Sequence, residues 1–266
     1  MTTVRDIEQY LYAWAPRELA ESWDNVGLLV GDPEAEVRRV LVALDVTPQV
    51  VDEAIEKDCQ LIAAHHPVMN CAWNQVQTVR TDDRQGRVLT ELIRHGIAAI
   101  CMHTNLDAAE GGVNDVLADL FGIRQRTAFA DGCGRVGDID PITVPELAAL
   151  AQRKLAALCN APDTGTAVQV KFADTGKPVR RLAVISGAGG SLFAEAIAEG
   201  ADCLLTGEAN HHAAIDAVRL GLSLVAAGHY ATEFPVCAAI ADRLHAAFPE
   251  LEVRVSGENR DPYTYL

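Results

Sequence analysis

The chain has 266 residues, of which 49% are hydrophobic, as in a globular protein, and this length suits two domains of about 100–200 residues each. A formal charge of −15 argues against broad nucleic-acid binding, because Lys and Arg side chains bind the phosphate backbone. The sequence contains neither an apolar run of about 18 residues nor a secretory signal pattern, so we expect a cytoplasmic protein without membrane contact.

Short apolar strands alternate with helical stretches along the first half of the chain. Thr47 followed by Pro48 is a typical helix start, and Gly122 is a typical helix end. The pattern predicts strands at 38–46, 59–64 and 97–103, and helices at 47–58, 88–96 and 111–122. This alternation indicates an α/β fold with a mainly parallel sheet.

The second half repeats this order, which suggests an internal duplication. Strands are predicted at 180–187, 201–208 and 221–229, with a helix at 191–200. Residues 127–179 look irregular, apart from a helix at 144–158 and a strand at 167–172. We therefore predict two similar α/β domains, 1–126 and 127–266, each with a mainly parallel sheet.

Potential metal ligands follow three of the predicted strands. The segment LIAAHHPVMN places His65 and His66 after one strand, and HTNLD and HYATE repeat a His-x-x-x-carboxylate pattern after two others. Ligands of open α/β sheets gather at the carboxyl ends of parallel strands. Imidazole and carboxylate donors without thiolates suit Zn, Mn, Fe, Co or Ni and do not choose among them.

The number of donors indicates two metal ions rather than one, because a single catalytic zinc takes about three protein ligands. Six candidates are available: His65, His66, His103, Asp107, His229 and Glu233. Neighbouring residues of an extended chain point to opposite sides, so the two adjacent histidines are expected to serve different ions, with a carboxylate bridging them. The alternative is that these histidines only cap a strand and bind backbone carbonyls.

Six segments in chain order resemble a known family: ESWDNVGLLVGD (21–32), AAHHPV (63–68), HTNLDAAEGGVND (103–115), CGRVGD (133–138), LLTGEANHHAAIDA (204–217) and AAGHYATE (226–233). Together they resemble the Nif-three-like dinuclear-metal family, whose members are called GTP cyclohydrolase 1 type 2 homologues. The resemblance runs from about residue 4 to the C-terminus.

This resemblance implies a specific site and assembly. Two α/β domains would flank a cleft that holds two divalent transition-metal ions, and six chains would form a toroid with the metal sites facing its interior. Metal ligation falls on His65, His66, Asp107, His229 and Glu233. His103 matches a family position near the metals, so we expect it to act in catalysis by orienting a ligand or moving a proton.

The function that follows is a dinuclear-metal-dependent hydrolase. The family name implies opening of the guanine ring of GTP at C8, and the substrate class is a nucleotide or related small anion. Two alternatives stay open: a non-catalytic protein that binds or delivers metal, and a toroidal interaction scaffold that the metals only stiffen.

Other motifs have simpler interpretations. GCGRVG (132–137) fits the dinucleotide fingerprint but no helix follows it, and SGAGGS (186–191) reads as a βα turn. WDN (23–25) has two interpretations, a segment that reaches the cleft and, as the preferred one, a turn held by Trp23 packing. His211 and His212 are interpreted as a solvated helix start. His95 and His245 are expected at the surface. The seven cysteines contain no Cys-x-x-Cys pair, so buried thiols are expected.

Overall fold

The computed structural model describes residues 1–71, 75–159 and 168–264. Helices α1 to α10 in these residues are Val4–Trp14, Pro48–Glu56, Arg84–His95, Thr104–Ala108, Val113–Leu120, Val144–Leu158, Phe193–Ala198, His211–Arg219, His229–Glu233 and Pro235–Ala247. Strands β1 to β11 are Gly27–Val30, Arg39–Ala43, Leu61–Ala64, Ala98–Cys101, Arg124–Phe129, Gly134–Ile142, Lys171–Ala173, Val179–Ile185, Cys203–Thr206, Ser223–Ala226 and Glu252–Val255. The fold is thus mixed α/β with two sheets.

The chain divides into two compact units. The first unit contains Met1–Glu110 and Cys237–Arg260, and the second contains Gly111–Val236 and the residues from Asp261 onward. These units differ from the sequence-based domains 1–126 and 127–266, because β11 returns to the first sheet and pairs in parallel with β2. The local sequence of a terminal strand does not specify which sheet it joins.

The first unit is built on a sheet with the order β1-β4-β3-β2-β11. The strands β4, β3, β2 and β11 pair in parallel, and β1 pairs antiparallel with β4. Every residue of β3 and β4 is buried, because apolar side chains cover both faces of these strands. This buried sheet fixes the carboxyl ends of β2, β3 and β4, where the polar residues begin.

Local sequence signals fix the helices beside this sheet. Thr47 accepts a hydrogen bond from Val50 N at 3.2 Å and Pro48 occupies the first turn of α2, as predicted. Helix α3 begins after Asp83, which caps Gly86 N at 2.9 Å. Helix α3 starts at Arg84, four residues before the predicted start at residue 88. The prediction was late because the first turn is polar and the apolar pattern begins only at residue 88.

The second unit contains a mixed sheet with the order β5-β6-β8-β9-β10-β7. Only β8, β9 and β10 pair in parallel, so the prediction of a mainly parallel sheet holds for the first unit and is wrong for the second. The antiparallel strand β6 lies within residues 127–179, which were predicted to be largely irregular. The exposed, polar strand β5 gives little periodic signal for the hairpin that it forms with β6.

The motifs at 103–115 and 133–138 meet in a buried ion pair of the second unit. Arg135 Nε donates to Asp115 Oδ1 at 2.9 Å and Arg135 Nη2 donates to Asp115 Oδ2 at 3.1 Å. Burial acts to raise the pKa of the Asp115 carboxyl, but the hydrogen bonds from Arg135 and from Gly111 N outweigh it and lower the pKa. The neighbouring Asn114 Oδ1 accepts from Ser186 N at 2.8 Å, which ties α5 to the end of β8.

Several sequence-based expectations concern the exposure of particular segments and side chains. No helix in the described parts of the chain combines the length and apolarity that a membrane crossing requires. Six of the seven cysteines are buried and Cys133 is half-buried, and burial raises the pKa of Cys101 and Cys159 to about 12, which disfavours their thiolate forms. The four histidines assigned to the surface are exposed: His95, His211, His212 and His245.

Candidate metal centre

The first unit brings four of the predicted site residues together. His65 and His66 follow β3, and His103 follows β4, its parallel neighbour. Directly after His103 the chain turns into the short helix α4, which carries Asp107. We call His65, His66, His103 and Asp107 the first donor set.

The three imidazoles of this set form a compact cluster. One ring nitrogen from each of His65, His66 and His103 lies within 4.8 Å of the others, which is close enough for the group to hold a metal ion. The ring centroids are 5.0 to 5.5 Å apart. Asp107 Oδ1 lies 3.7 Å from His65 Nε2, so a carboxylate adjoins the cluster.

The expectation that His65 and His66 point to opposite sides is wrong. Their rings are tilted by 45° and their centroids lie 5.0 Å apart. Strand β3 ends at Ala64, so the alternation of side chains that holds inside a strand does not continue through these two residues. The backbone bends here, and both imidazoles reach the same cluster.

Each imidazole is oriented by a hydrogen bond at Nδ1. His65 Nδ1 lies 2.8 Å from the Met102 carbonyl oxygen, while His66 Nδ1 and His103 Nδ1 each lie 2.9 Å from a carboxylate oxygen, of Asp45 and Asp24 respectively. These oxygens accept only, so Nδ1 must donate, and in the neutral ring Nε2 then carries the lone pair. Metal-binding histidines commonly show this arrangement.

The second unit contains the second donor set, His229 and Glu233, at opposite ends of α9. His229 Nε2 lies 3.1 Å from Glu233 Oε2, and His229 Nδ1 lies 3.4 Å from Glu208 Oε1. Two residues separate the start of α9 from the end of β10, so these residues also lie near the carboxyl end of a parallel strand. The Glu233 side chain is buried, and a buried carboxylate is costly unless a cation or hydrogen bonds compensate it.

Glycines make room for the second donor set. Gly187 follows β8 with φ +55°, and a Cβ atom there would overlap Glu233 Oε1 and lie 3.2 Å from His229 Nε2. Gly207 follows β9, where a Cβ would lie 2.6 Å from the Gly187 carbonyl oxygen and 2.7 Å from Thr232 Oγ1. These positions require glycine because backbone and carboxylate approach so closely.

The separations within both sets fit shared metal ligation. Two donors that bind a tetrahedral ion at about 2.1 Å are about 3.4 Å apart. The separation of 3.7 Å between His65 Nε2 and Asp107 Oδ1 and that of 3.1 Å between His229 Nε2 and Glu233 Oε2 lie on either side of this value. Imidazole and carboxylate are also ligands of the predicted type.

Sequence reasoning missed the residues that orient the donors: Asp24, Asp45 and Glu208. The turn at residues 23–25 was attributed to Trp23 packing, but the Trp23 side chain is 46% exposed and the Asp24 side chain is buried. Asp45 lies two residues past the end of β2, the neighbour of β3, but the predicted strand at 38–46 included it and so concealed its position at a strand end.

Comparison with known proteins identifies the family. The family model described as Duf34/NIF3 (NGG1p interacting factor 3) matches residues 2–262. This chain belongs to the DUF34/NIF3 family. The expected family resemblance is therefore confirmed over nearly the whole chain.

Two named relatives of this DUF34/NIF3 protein match over nearly their full length. A protein of Clostridium acetobutylicum named GTP cyclohydrolase 1 type 2 homolog is 32% identical, with 98% of each chain covered. One of the same name from Streptomyces coelicolor is 37% identical over 99% of this chain and 94% of the relative. The crystal structure of a hypothetical protein of Staphylococcus aureus is similar, with TM-score 0.86, 29% identity and 99% of each chain covered.

Proposed function

We propose that this DUF34/NIF3 protein is a dinuclear-metal-dependent hydrolase of the GTP cyclohydrolase type, acting on a nucleotide or a related small anion. The observation that carries the proposal is the imidazole cluster of His65, His66 and His103, in which every Nδ1 faces an oxygen acceptor and one ring nitrogen of each lies within 4.8 Å of the others. The names of the relatives supply the reaction class.

The proposed ligands are His65, His66 and Asp107 of the first set with His229 and Glu233 of the second. Neither set supplies by itself the roughly six protein ligands that two catalytic ions would share. We therefore propose that both sets bind one pair of divalent transition-metal ions in a cleft between the two α/β units. When bound, the ions would supply a water of lowered pKa and would polarise the bond that is attacked.

His103 is proposed to act on protons rather than to bind metal. Its Nδ1 donates to Asp24, so in the neutral ring Nε2 is the atom that can accept a proton from an attacking water. The ring lies in the same cluster as His65 and His66, within reach of the proposed reaction centre. The other five donors hold the ions and orient the substrate around them.

The repeated arrangement supports an internal duplication. Each unit contains three neighbouring parallel strands in chain order, β2 to β4 in one and β8 to β10 in the other. In each, the third strand is followed by a short helix and by a His-x-x-x-carboxylate pair. We propose that one ancestral α/β unit gave rise to both donor sets.

We further propose a cytoplasmic hexamer that forms a toroid, without broad nucleic-acid binding and without membrane contact. The assembly comes from the family resemblance alone. The charge of −15 supports the exclusion of a phosphate backbone, while a small anionic substrate remains compatible because bound cations reverse the local field.

The deciding experiment is turnover of a nucleotide panel by protein reconstituted separately with Zn, Mn, Fe, Co and Ni. GTP should be opened at C8 with release of formate, and ATP, GDP and guanosine serve to define the substrate. His103→Ala is the matched control, since it should retain both ions and lose most of the turnover.

Two outcomes would replace the proposal. Full metal loading with no turnover of any nucleotide, together with ready transfer of the ions to an acceptor chelator, would identify a metal-binding or metal-delivery protein. An unchanged assembly after complete removal of the metals, again without turnover, would identify an interaction scaffold.

A further inference from the structure

The turn at residues 23–25 contains a buried carboxylate that touches the candidate metal centre. The Asp24 side chain has no exposed surface and lies 79 residues from His103 in sequence. Its Oδ2 accepts from three donors: His103 Nδ1 at 2.9 Å, Thr104 N at 3.0 Å and Thr104 Oγ1 at 2.6 Å. The neighbouring Trp23 ring also contacts His103, edge to face, with ring centroids 6.0 Å apart.

The two residues that Asp24 binds belong to the site for different reasons. His103 is the proposed proton-transfer group, and Thr104 is the first residue of α4, whose Asp107 is a proposed ligand. Helix α4 has no cap from His103, the residue directly before it, so the carboxylate of Asp24 binds the first backbone N–H of the helix instead. One side chain thus fixes both an imidazole and the start of the helix that carries a carboxylate donor.

The turn that presents Asp24 is itself held firmly. Asp24 N donates to Glu21 O at 2.9 Å, and Glu21 N donates to Thr104 Oγ1 at 2.9 Å. Asn25 N donates to Asp24 Oδ1 at 2.8 Å, so both carboxylate oxygens are bound. A rigid turn allows Asp24 to impose an orientation on His103 rather than follow it.

We propose that Asp24 is a positioning residue of the metal centre. It holds the His103 ring with Nδ1 protonated and Nε2 directed to the reacting atoms. It also fixes α4 so that Asp107 reaches its ion. This inference rests on the proposed function, and it assigns to Asp24 a role like that of the carboxylate that orients histidine in hydrolase triads. Asp24 touches neither the ions nor the substrate.

The test compares three variants of the full-length protein: Asp24→Asn, Asp24→Ala and Asp32→Asn. Asp24→Asn retains an acceptor oxygen but loses the charge, and Asp24→Ala removes every acceptor. Asp32→Asn is the matched control, because Asp32 is exposed, belongs to neither donor set, and accepts from Glu34 N at 2.9 Å through Oδ1, which asparagine retains. Co(II) affinity is measured by competition with a chelator, and the visible Co(II) absorption spectrum reports ligand geometry.

A group that holds a metal ligand in place typically contributes about 10–100-fold to metal affinity, and Asp24 holds the proposed ligand Asp107 through the start of α4. Asp24→Asn should therefore bind Co(II) about 10–100-fold more weakly and with an altered spectrum, while Asp32→Asn should keep the wild-type affinity and spectrum. Wild-type affinity and spectrum in Asp24→Asn would overturn the inference. If Asp24→Ala fails to fold, Asp24→Asn alone decides the result.

A crystal structure of the metal-free Asp24→Asn and Asp24→Ala proteins separates this inference from the proposed function. We expect the His103 ring to leave its wild-type orientation in at least the alanine variant, whether or not the protein turns over any nucleotide. An unchanged ring and an unchanged α4 in both variants would contradict positioning by Asp24. Absence of turnover in the wild-type protein, with the ring displaced in the variants, would refute only the hydrolase proposal.

Discussion

Gly187→Ala is the most informative single change in the second unit. Gly187 has φ +55°, and its amide donates to Thr232 Oγ1 at 3.1 Å. A methyl group here overlaps Glu233 Oε1. The substitution therefore combines a backbone cost with the displacement of a proposed metal ligand.

Gly200 offers a matched control, because it too has a positive φ, of +73°, but a Cβ there meets no atom within 4 Å. An alanine in the left-handed region costs about 1–2 kcal/mol, and this should be the whole effect of Gly200→Ala. Gly187→Ala adds overpacking, typically about 1–3 kcal/mol. We thus expect a loss of about 2–5 kcal/mol for Gly187→Ala against about 1–2 kcal/mol for Gly200→Ala.

The assay measures the melting temperature of the metal-free proteins and their Co(II) affinity. Both variants should melt below the wild type, and each kcal/mol corresponds to about 2–4 °C in a chain of this size. Only Gly187→Ala should bind Co(II) more weakly, because only there is Glu233 displaced. Equal melting temperatures and equal, wild-type Co(II) affinities for the two variants would refute the reasoning about close approach at Gly187.

Four further predictions test the site and the fold. Metal analysis after reconstitution should give about two ions per chain, and one or none would contradict the dinuclear centre. Glu233→Gln should weaken the binding of both ions together if Glu233 bridges them, whereas Asp107→Asn should weaken the binding of one ion selectively. A metal content of two ions per chain in Glu233→Gln would contradict the bridging role. Light scattering should give a mass near six times 28.5 kDa, and a monomer would exclude the toroid. The folded pKa of Asp115 is lowered, so its carboxylate stabilises the fold above the unfolded pKa of about 3.9, and this stabilisation is lost as the pH falls through the folded pKa. Asp115→Asn should therefore lose less stability in acid than the wild type does, as measured by circular dichroism.

The order of elements and the donor residues could be predicted from the sequence because both depend on local signals. Apolar runs identified β2, β3, β4, β8, β9 and β10, and Thr47 with Pro48 gave the start of α2. The histidines and carboxylates after these strands could be recognised because polar, metal-binding side chains at the ends of buried apolar strands indicate a ligand. Their recurrence after equivalent strands led to the two donor sets, whose ligand roles stay predictions.

Only the tertiary structure decided which distant segments meet. The sequence could not show that β11 joins the first sheet, or that β5 and β6 make the second sheet mixed, because strand pairing depends on partners far along the chain. It also placed His65 and His66 on opposite sides, since alternation is a rule of strands and β3 ends at Ala64, before both histidines.

The orientation of the donors was likewise a tertiary property. The bonds from His103 to Asp24 and from His66 to Asp45 span 79 and 21 residues, and no spacing rule connects such positions. The sequence supplied donors of the right chemical type at strand ends, because residue type and strand position are local. Which nitrogen carries the lone pair is set by an acceptor from another segment, and only the folded chain brings that acceptor within 2.9 Å.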